Sequence, residues 1–183
     1  MRLLRRMLLF GCCCVAFLIL VIIIGGAFLP SRWNVQATAT SAHSPQTLWP
    51  LICDFERWEE WSAWDDDAYG ERTTRFEGEP ATVGHSYSWS SNGSRGTLTL
   101  TRAQENVGIW YRGAIESDTP NAEGSITLKI LADGRTSIEW IDGGDLPPLT
   151  GLLALWMNSS LKAKFVEDLH RLSAMESSES SGR

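Results

Sequence analysis

The chain has 183 residues, 22 of them acidic and 16 basic, which gives a formal net charge of −6 at pH 7. Its Lys and Arg residues form no stripe or cluster that could follow a phosphate backbone, so the composition argues against a nucleic-acid-binding protein. Cys12, Cys13 and Cys14 lie together and leave only Cys53 in the rest of the chain, which excludes a disulfide framework.

The first element in chain order is an apolar segment, residues 7–29, that contains no charged side chain. As a helix it would reach about 35 Å, enough to cross a hydrocarbon core of roughly 30 Å. We therefore predict a single-pass transmembrane helix at 7–29, in which the three adjacent cysteines are ordinary apolar residues. A cleaved signal peptide is the alternative, although its apolar region is usually only about 7 to 15 residues long.

The charges that flank this segment predict its orientation. Arg2, Arg5 and Arg6 precede the segment, and only Arg32 follows it closely. Because positively charged flanks stay inside, residues 1–6 are predicted to be cytoplasmic, and the soluble part is predicted to be extracytoplasmic, in a periplasm or on the outer face.

The remainder of the chain has the length of one ordinary domain, residues 31–173. Residues 31–183 carry 13 basic against 22 acidic residues, a formal charge of −9, which also disfavours flat docking on anionic lipid headgroups. Residues 174–183 form a polar, Ser-rich tail that we expect to be disordered.

Within the domain, a first strand and two short helices come before the main β region. Residues 35–39 alternate between apolar and polar side chains, which is typical of a half-buried strand. Ser44 and Pro45 suit the N-cap and the first helical position, so a helix is predicted from there to about residue 53, with Pro50 breaking or bending it. A second helical piece is predicted at 54–61.

Residues 48–64, LWPLICDFERWEEWSAW, contain four tryptophans. Trp58, Trp61 and Trp64 recur at every third position, so on a helix or tight turn they would form one aromatic edge. Such an edge is either part of the core or a lid over a cavity, and the spacing does not distinguish the two. The acidic residues that follow, from Asp65 onward, are interpreted as a solvated loop.

The β region is predicted as an antiparallel meander that a long helix closes. The predicted strands are residues 73–76, 84–91, 95–104, 107–116, 124–131 and 135–141, with hairpin turns at Asn92-Gly93 and Asp133-Gly134. Residues 150–172 carry apolar side chains at helical spacing, namely Leu153, Met157, Leu161, Phe165, Leu169 and Leu172.

This order of elements is the helix-grip arrangement, and the chain resembles the SRPBCC superfamily. The resemblance is carried by Ser44 to Trp49, Asp54 to Trp58, Trp61 to Trp64, Gly84 to Trp89 ahead of Gly96, and Thr136 to Trp140. Within that superfamily, which includes START and birch-pollen-allergen-like proteins, the chain looks like the polyketide cyclase/dehydrase-like branch.

The resemblance implies an α+β fold in which a curved antiparallel sheet of about seven strands, with two short helices, wraps over the long C-terminal helix. In this chain a transmembrane helix would precede that fold. The resemblance also implies a deep apolar pocket, but it does not name the ligand.

Strand alternation predicts which side chains line that pocket, if the apolar alternate faces inward. These are Tyr87, Trp89, Leu98, Leu100, Ile109, Tyr111, Ile126, Leu128, Ile138 and Trp140 on the strands, and Met157, Leu161 and Phe165 on the helix. Each of them is equally suited to simple core packing. Four large rings with polar groups favour a wall that orients a mostly apolar ligand, with Trp58, Trp61 and Trp64 as its lid.

No catalytic residue, metal site or cofactor is predicted. Nucleophile-elbow, phosphate-loop and zinc-protease motifs are absent from the sequence, and His85, at the start of a strand, is expected to be exposed or to cap it. We therefore expect membrane-anchored binding of a small hydrophobic or amphipathic ligand, a lipid or hydrophobic metabolite, for transport or sensing. A cyclase- or dehydratase-like enzyme and an envelope protein-interaction module that uses the tryptophan edge are the alternatives.

Overall fold

The fold is described from a computed structural model, which covers residues 10–11, 14–17, 20–21, 24–26, 28–62, 72–91, 93–148 and 150–175. Seven strands and two α-helices are named in chain order, together with one 3-10 helix. They are β1 (Arg32–Ser41), α1 (Pro45–Ile52), the 3-10 helix (Phe55–Glu60), β2 (Thr73–Glu77), β3 (Ser86–Ser90), β4 (Arg95–Gln104), β5 (Gly108–Ile115), β6 (Ala122–Ile130), β7 (Thr136–Asp145) and α2 (Gly151–Ala174).

The strands form one antiparallel sheet in the order β1-β7-β6-β5-β4-β3-β2. Strands β2 to β7 are a meander, and β1 pairs with β7 along its whole length. A register shift between Leu100 and Arg102 marks a bulge in β4. The predicted α+β helix-grip fold, with seven antiparallel strands and a long C-terminal helix, is thereby confirmed.

The N-terminal helix α1 begins as its sequence predicts. The Ser44 hydroxyl accepts a hydrogen bond from the Thr47 N–H at 3.3 Å, and Pro45 occupies the first turn. The helix then continues past Pro50 to Ile52, so of the two predicted effects of Pro50 the break was wrong, and the bend stays a prediction. In a helix of two turns, proline removes a single backbone bond, and this loss is small beside the burial of Leu48, Leu51 and Ile52.

The C-terminal half of α2 closes the core against one face of the sheet. Phe165, Leu169 and Leu172 are buried, and the rings of Phe165 and Trp140 are stacked with their centroids 3.9 Å apart. Leu153, which was predicted to belong to the buried stripe, is exposed instead. The first turn of the helix buries Gly151 and Ala154, so Leu153 points away from the sheet.

Several predicted segments fall partly or wholly outside the described residues. They are parts of the transmembrane helix 7–29, residues 1–6, the acidic loop with Trp64 at 63–71, and residues 176–183 of the tail. In the described part of the chain, no helix has the length and apolar character that a membrane crossing requires.

Candidate functional site

Cross-strand pairing places all ten predicted lining residues of the strands on one face of the sheet, called here the inner face. Antiparallel partners that lie directly opposite each other share a face. The pairs are Tyr87 with Leu98, Trp89 with Gly96, Leu100 with Tyr111, Ile109 with Ile126, Ile126 with Trp140, and Leu128 with Ile138. Because Trp140 stacks on Phe165, the inner face is the one that α2 covers.

The inner face has a closed end, which protein side chains fill. Eight of the thirteen predicted lining residues are buried there: Leu100, Ile109, Tyr111, Ile126, Leu128, Ile138, Trp140 and Phe165. A cluster of rings occupies the space between the sheet, α1 and α2. It consists of Phe55, Trp58, Trp61, Tyr111, Trp140 and Phe165, with neighbouring centroids 3.9 to 6.3 Å apart.

Trp58 and Trp61 belong to this cluster. Their indole N–H groups donate to the carbonyls of Ile52 at 3.0 Å and Leu51 at 3.1 Å, and Trp61 is only 1% exposed. These two tryptophans therefore offer no exposed edge to a protein partner. Their predicted role as a lid stays a prediction, and Trp64 lies outside the described residues.

The other end of the inner face, the open end, is less completely packed. The remaining five predicted lining residues are only partly buried: Tyr87, Trp89, Leu98, Met157 and Leu161. The first three lie on β3 and β4, and the last two lie on the N-terminal half of α2. On both elements, apolar side chains of the inner face and of the helix therefore keep accessible surface.

A polar group lies on the inner face beside this accessible surface. Asp142 pairs with Gly124 of β6 and Val35 of β1, so its side chain shares the face of Trp140. Its carboxylate accepts hydrogen bonds from the Tyr111 hydroxyl at 2.9 Å and from the Gly143 N–H at 2.9 Å. Tyr111 in turn accepts a bond from the Trp140 indole at 2.8 Å, which completes a chain of three side chains.

Burial changes the pKa values of Asp142 and Tyr111, the two titratable groups in this hydrogen-bonded series. Burial raises the pKa of Asp142 to about 7, although its hydrogen bonds with Tyr111 and Gly143 oppose the change. Burial and the neighbouring Asp142 carboxylate hold the pKa of Tyr111 well above its usual range. Asp142 nevertheless keeps part of its surface accessible.

Residues 32–175 match the family described as polyketide cyclase / dehydrase and lipid transport. The chain belongs to this family. The resemblance to the SRPBCC superfamily is thereby confirmed, and it covers the sheet, both α-helices and the Asp142 site. A search of curated proteins gave no match.

Solved structures with the fold of this family are similar to the chain. One from Thermobifida fusca has a TM-score of 0.59 at 18% identity, over 76% of this chain and 90% of that one. A protein of Nitrosospira multiformis has a TM-score of 0.57 at 18% identity, over 80% and 98%. A protein of the dynemicin biosynthetic locus has a TM-score of 0.54 at 17% identity, over 76% of this chain and 45% of that one, so the chain spans less than half of its length. At these identities the likeness shows the fold alone.

In this member of the polyketide cyclase/dehydrase family, His85 is a buried structural residue. It is 2% exposed, and its Nε2 accepts the Phe55 N–H at 3.1 Å. Nδ1 therefore carries the proton and donates to the carbonyls of Glu77 and Gly78, each at 3.2 Å. The expectation of an exposed or capping His85 was wrong. The residue is buried by its contact with Phe55 on the 3-10 helix, which lies 30 residues away in sequence and is not evident from the residues around His85.

Cys53 is not activated as a nucleophile, and the described residues offer no grouped metal ligands. Burial raises the pKa of Cys53 to about 11, so the group is a thiol at neutral pH. Among the residues that the structure describes, no three His, Cys, Asp or Glu side chains are grouped so that they could hold a metal ion.

A groove of about 500 Å³ runs along the edge strand β1 beside α2, and it borders the inner face at Val35 and Ala37, the partners of Asp142 and Trp140. It is lined by Asn34, Val35, Gln36, Ala37, Thr38, Asn158, Lys162 and Val166. Its walls are mostly polar, and it lacks the aromatic side chains of the inner face. The open end of the inner face, with Asp142, is therefore the better candidate for an apolar ligand.

Asp142 is the functional candidate that sequence reasoning missed. The strand was predicted to end at Ile141, but β7 continues to Asp145. Had the alternation of Ile138 and Trp140 been extended by one step, it would have placed Asp142 inside.

Proposed function

We propose that the protein is a membrane-anchored binder of a small hydrophobic or amphipathic ligand, a lipid or hydrophobic metabolite, held between α2 and the inner face. The observation that carries the proposal is the difference between the two ends of the interior. Tyr87, Leu98, Met157 and Leu161 point inward and yet keep accessible surface. The family description, which includes lipid transport, agrees with such a role.

Apolar surface that faces inward and is still accessible can contribute to ligand binding, because covering it is favourable. Covering it releases about 2.5 kcal/mol for each 100 Å² of apolar area, before the entropic cost of association is subtracted. A ligand that slides under the N-terminal half of α2 covers its own surface and that of the protein together. The aromatic cluster at the closed end sets how deeply the ligand enters.

The C-terminal end of the segment that we propose as the anchor lies at the start of α2, in the half of the helix that carries Met157 and Leu161. Gly151, the first residue of α2, lies directly against Leu29, at the end of the apolar segment 7–29: a Cβ at Gly151 would overlap the side chain of Leu29. Leu152, Leu155 and Trp156 on the same turns are exposed. A tether at this point holds the open end close to the bilayer, where a poorly soluble ligand is concentrated.

Native mass spectrometry of the full chain, purified from its own membranes and then extracted with organic solvent, tests the proposal. We expect a stoichiometric lipid-like mass on the wild-type chain. Leu161→Trp fills the interior and is expected to lose that mass, whereas Leu155→Trp makes the same change at an exposed position of the helix and is expected to keep it. Wild-type and Leu161→Trp chains that carry equal ligand, or a wild-type chain that carries none, would contradict the proposal.

An enzymatic role is the second candidate, and Asp142 is the observation that favours it. General acid-base catalysis needs an inward group whose pKa lies near the working pH, and the pKa of Asp142 is about 7. One structural neighbour comes from the dynemicin biosynthetic locus. Conversion of the extracted molecule by the wild-type chain, with loss of turnover in Asp142→Asn, would distinguish an enzyme from a carrier.

A further inference from the structure

We propose that the Asp142 carboxyl, oriented by the Tyr111 hydroxyl, forms a subsite that hydrogen-bonds a neutral oxygen of the ligand, such as a ketone, ester or alcohol oxygen. The inference rests on the proposed ligand-binding function and specifies the ligand class. It selects an apolar molecule with an uncharged polar group over a carboxylate or phosphate.

The absence of a side chain at Gly124 makes the contact between Tyr111 and Asp142 possible. Tyr111 lies opposite Gly124 on β6, and Gly124 lies opposite Asp142 on β7. A Cβ at Gly124 would overlap the Tyr111 hydroxyl, so the missing side chain is what lets Tyr111 reach across a whole strand to Asp142. The Tyr111 ring covers the middle of the inner face, and its buried hydroxyl reaches Asp142, whose side chain stays partly accessible.

The subsite lies beneath the N-terminal half of α2. Asn158 accepts a hydrogen bond from the Asn34 N–H at 2.9 Å, and Asn34 pairs with Gly143, next to Asp142. One turn of helix from Phe165 to Leu161 rises about 6 Å, nearly the length of two strand residues from Trp140 to Asp142. Since Phe165 stacks on Trp140, Leu161 comes to the level of Asp142, and both side chains are partly accessible.

The number of hydrogen-bond donors in the network determines what the subsite can offer to a ligand. With Asp142 ionised, the Trp140 N–H, the Tyr111 O–H and the Gly143 N–H are all used within the network. When Asp142 is protonated, both the Asp142 carboxyl and the Tyr111 hydroxyl carry a hydrogen, but the hydrogen bond between their oxygens uses only one of the two. One hydroxyl hydrogen then has no acceptor in the network, and a neutral ligand oxygen supplies one.

The charges around the site exclude an anionic ligand group. In the described part of the chain no ion pair includes Asp142. Its neighbours on β1 and β6, Val35 and Gly124, do not titrate, and Tyr111 of β5 is the titratable group in contact. The inward charges of α2, Lys164 and Asp168, pair with each other and contact Ser62. Lys162, exposed on α2, lines the groove along β1 with Val35, but among the described residues no cation is paired with Asp142. A carboxylate or phosphate at Asp142 would therefore meet the carboxyl group without a paired cation.

Benzophenone, an apolar ketone that inserts into nearby C–H bonds on irradiation, is the probe. The full chain is irradiated with benzophenone at about pH 5.5 and about pH 8.5, on either side of the pKa of about 7. Mass spectrometry measures insertion into the peptides that contain Asp142, Met157 and Leu161. We expect about fivefold more insertion at the lower pH, the effect of one hydrogen bond. Diphenylmethane, which lacks the oxygen, should compete equally at both pH values.

Two variants separate the subsite from the pocket. Asp142→Asn keeps a neutral donor, so its insertion should equal that of the wild type at low pH and should not change with pH. Tyr111→Phe should lose most of the pH effect. Insertion that is equal at both pH values in the wild-type chain and unchanged in Asp142→Asn would overturn the subsite and leave the pocket standing. No insertion into these peptides in any folded chain would overturn the pocket, and the subsite with it.

Discussion

At the scale of single residues, Asp142 combines two properties that rarely occur together. Its hydrogen bonds are satisfied, and yet burial raises its pKa from the ordinary value of 3.8 to about 7. The folded protein therefore binds this proton more tightly than the unfolded chain does. The ionised carboxylate destabilises the fold, and the protein retains it on a wall of its interior, as expected for a group that acts on a ligand.

This tight proton binding predicts how stability changes with pH. Below about pH 4 the carboxyl is protonated in both states, and its contribution to the free energy of unfolding is the same as that of a neutral group. As the pH rises from about 4 to about 7, the unfolded chain ionises first, so stability falls. Above pH 7 the loss is complete, at most about 4 kcal/mol and about 1 to 2 kcal/mol for a partly accessible group.

Asp142→Asn removes this dependence. We expect the variant to unfold at the same denaturant concentration as the wild type near pH 4, and to be more stable by about 1 to 2 kcal/mol near pH 8. Chemical unfolding of both full-length chains, followed by circular dichroism at the two pH values, measures the difference. Equal stability at both pH values would mean that water solvates the carboxylate fully.

At the scale of elements, side-chain hydrogen bonds to other elements hold the 3-10 helix in place, in addition to its own backbone bonds. Trp58 and Trp61 donate to carbonyls of α1, and His85, at the start of β3, accepts the N–H of Phe55. Phe55 also stacks on the His85 ring at 5.1 Å. The 3-10 helix therefore fills the closed end of the interior with Phe55, Trp58 and Trp61. Its position depends on the contacts with His85.

His85→Leu tests this dependence. The substitution leaves the Phe55 N–H buried without its partner, and we expect it to lower the free energy of unfolding by about 1 to 3 kcal/mol. His170→Leu, at an exposed position of α2, is the matched control and should change stability by less than about 0.5 kcal/mol. Urea unfolding of the two variants measures both effects. If the two histidine variants were equally stable, the hydrogen bond to Phe55 would contribute nothing to the fold.

The elements also show where sequence reasoning was sufficient. Alternation alone assigned ten strand residues to one face, and the observed register puts them all there, because each strand is half-buried and its period is two. Ser44 and Pro45 predicted the start of α1 because capping is a local interaction.

Other features depend on contacts distant in sequence and could not be predicted locally. Gly143 and Gly144 look like the end of a strand, but β7 lies between β1 and β6, and pairing on both sides extends it to Asp145. Asp142 was missed for that reason. The spacing of Trp58 and Trp61 fits a helix with three residues per turn, but only the carbonyls of α1 make their burial favourable.

At the scale of the whole molecule, the fold separates the packed core from the region that we propose as the binding site. The closed end supplies the buried rings and the long-range hydrogen bonds, whereas the open end carries partly buried apolar side chains and Asp142. A ligand at the open end needs no disruption of the closed end. This division lets one scaffold keep its core and vary what it binds, which agrees with a family whose description spans cyclases, dehydrases and lipid transport.

The last prediction concerns how the proposed anchor orients the domain. Trp156 is 65% exposed on the turns of α2 that follow Gly151, and Gly151 lies against Leu29. Tryptophan favours the boundary between water and hydrocarbon, so an anchored domain with its open end toward the bilayer places Trp156 there. In phosphatidylcholine vesicles with nitroxide-labelled acyl chains, we expect the lipid quenching of tryptophan fluorescence to fall in Trp156→Phe relative to wild type.

Trp110 provides the control for this measurement. It lies on the opposite face of the sheet, where the Arg102 guanidinium sits 4.3 Å from its ring centre. Trp110→Phe should therefore leave the lipid-quenched fraction of the fluorescence unchanged. If quenching were the same in the wild type and Trp156→Phe, α2 would lie in water, and a ligand would have to cross an aqueous gap to reach the open end. Loss of quenching in Trp110→Phe instead would mean that the domain faces the bilayer with the outer surface of its sheet.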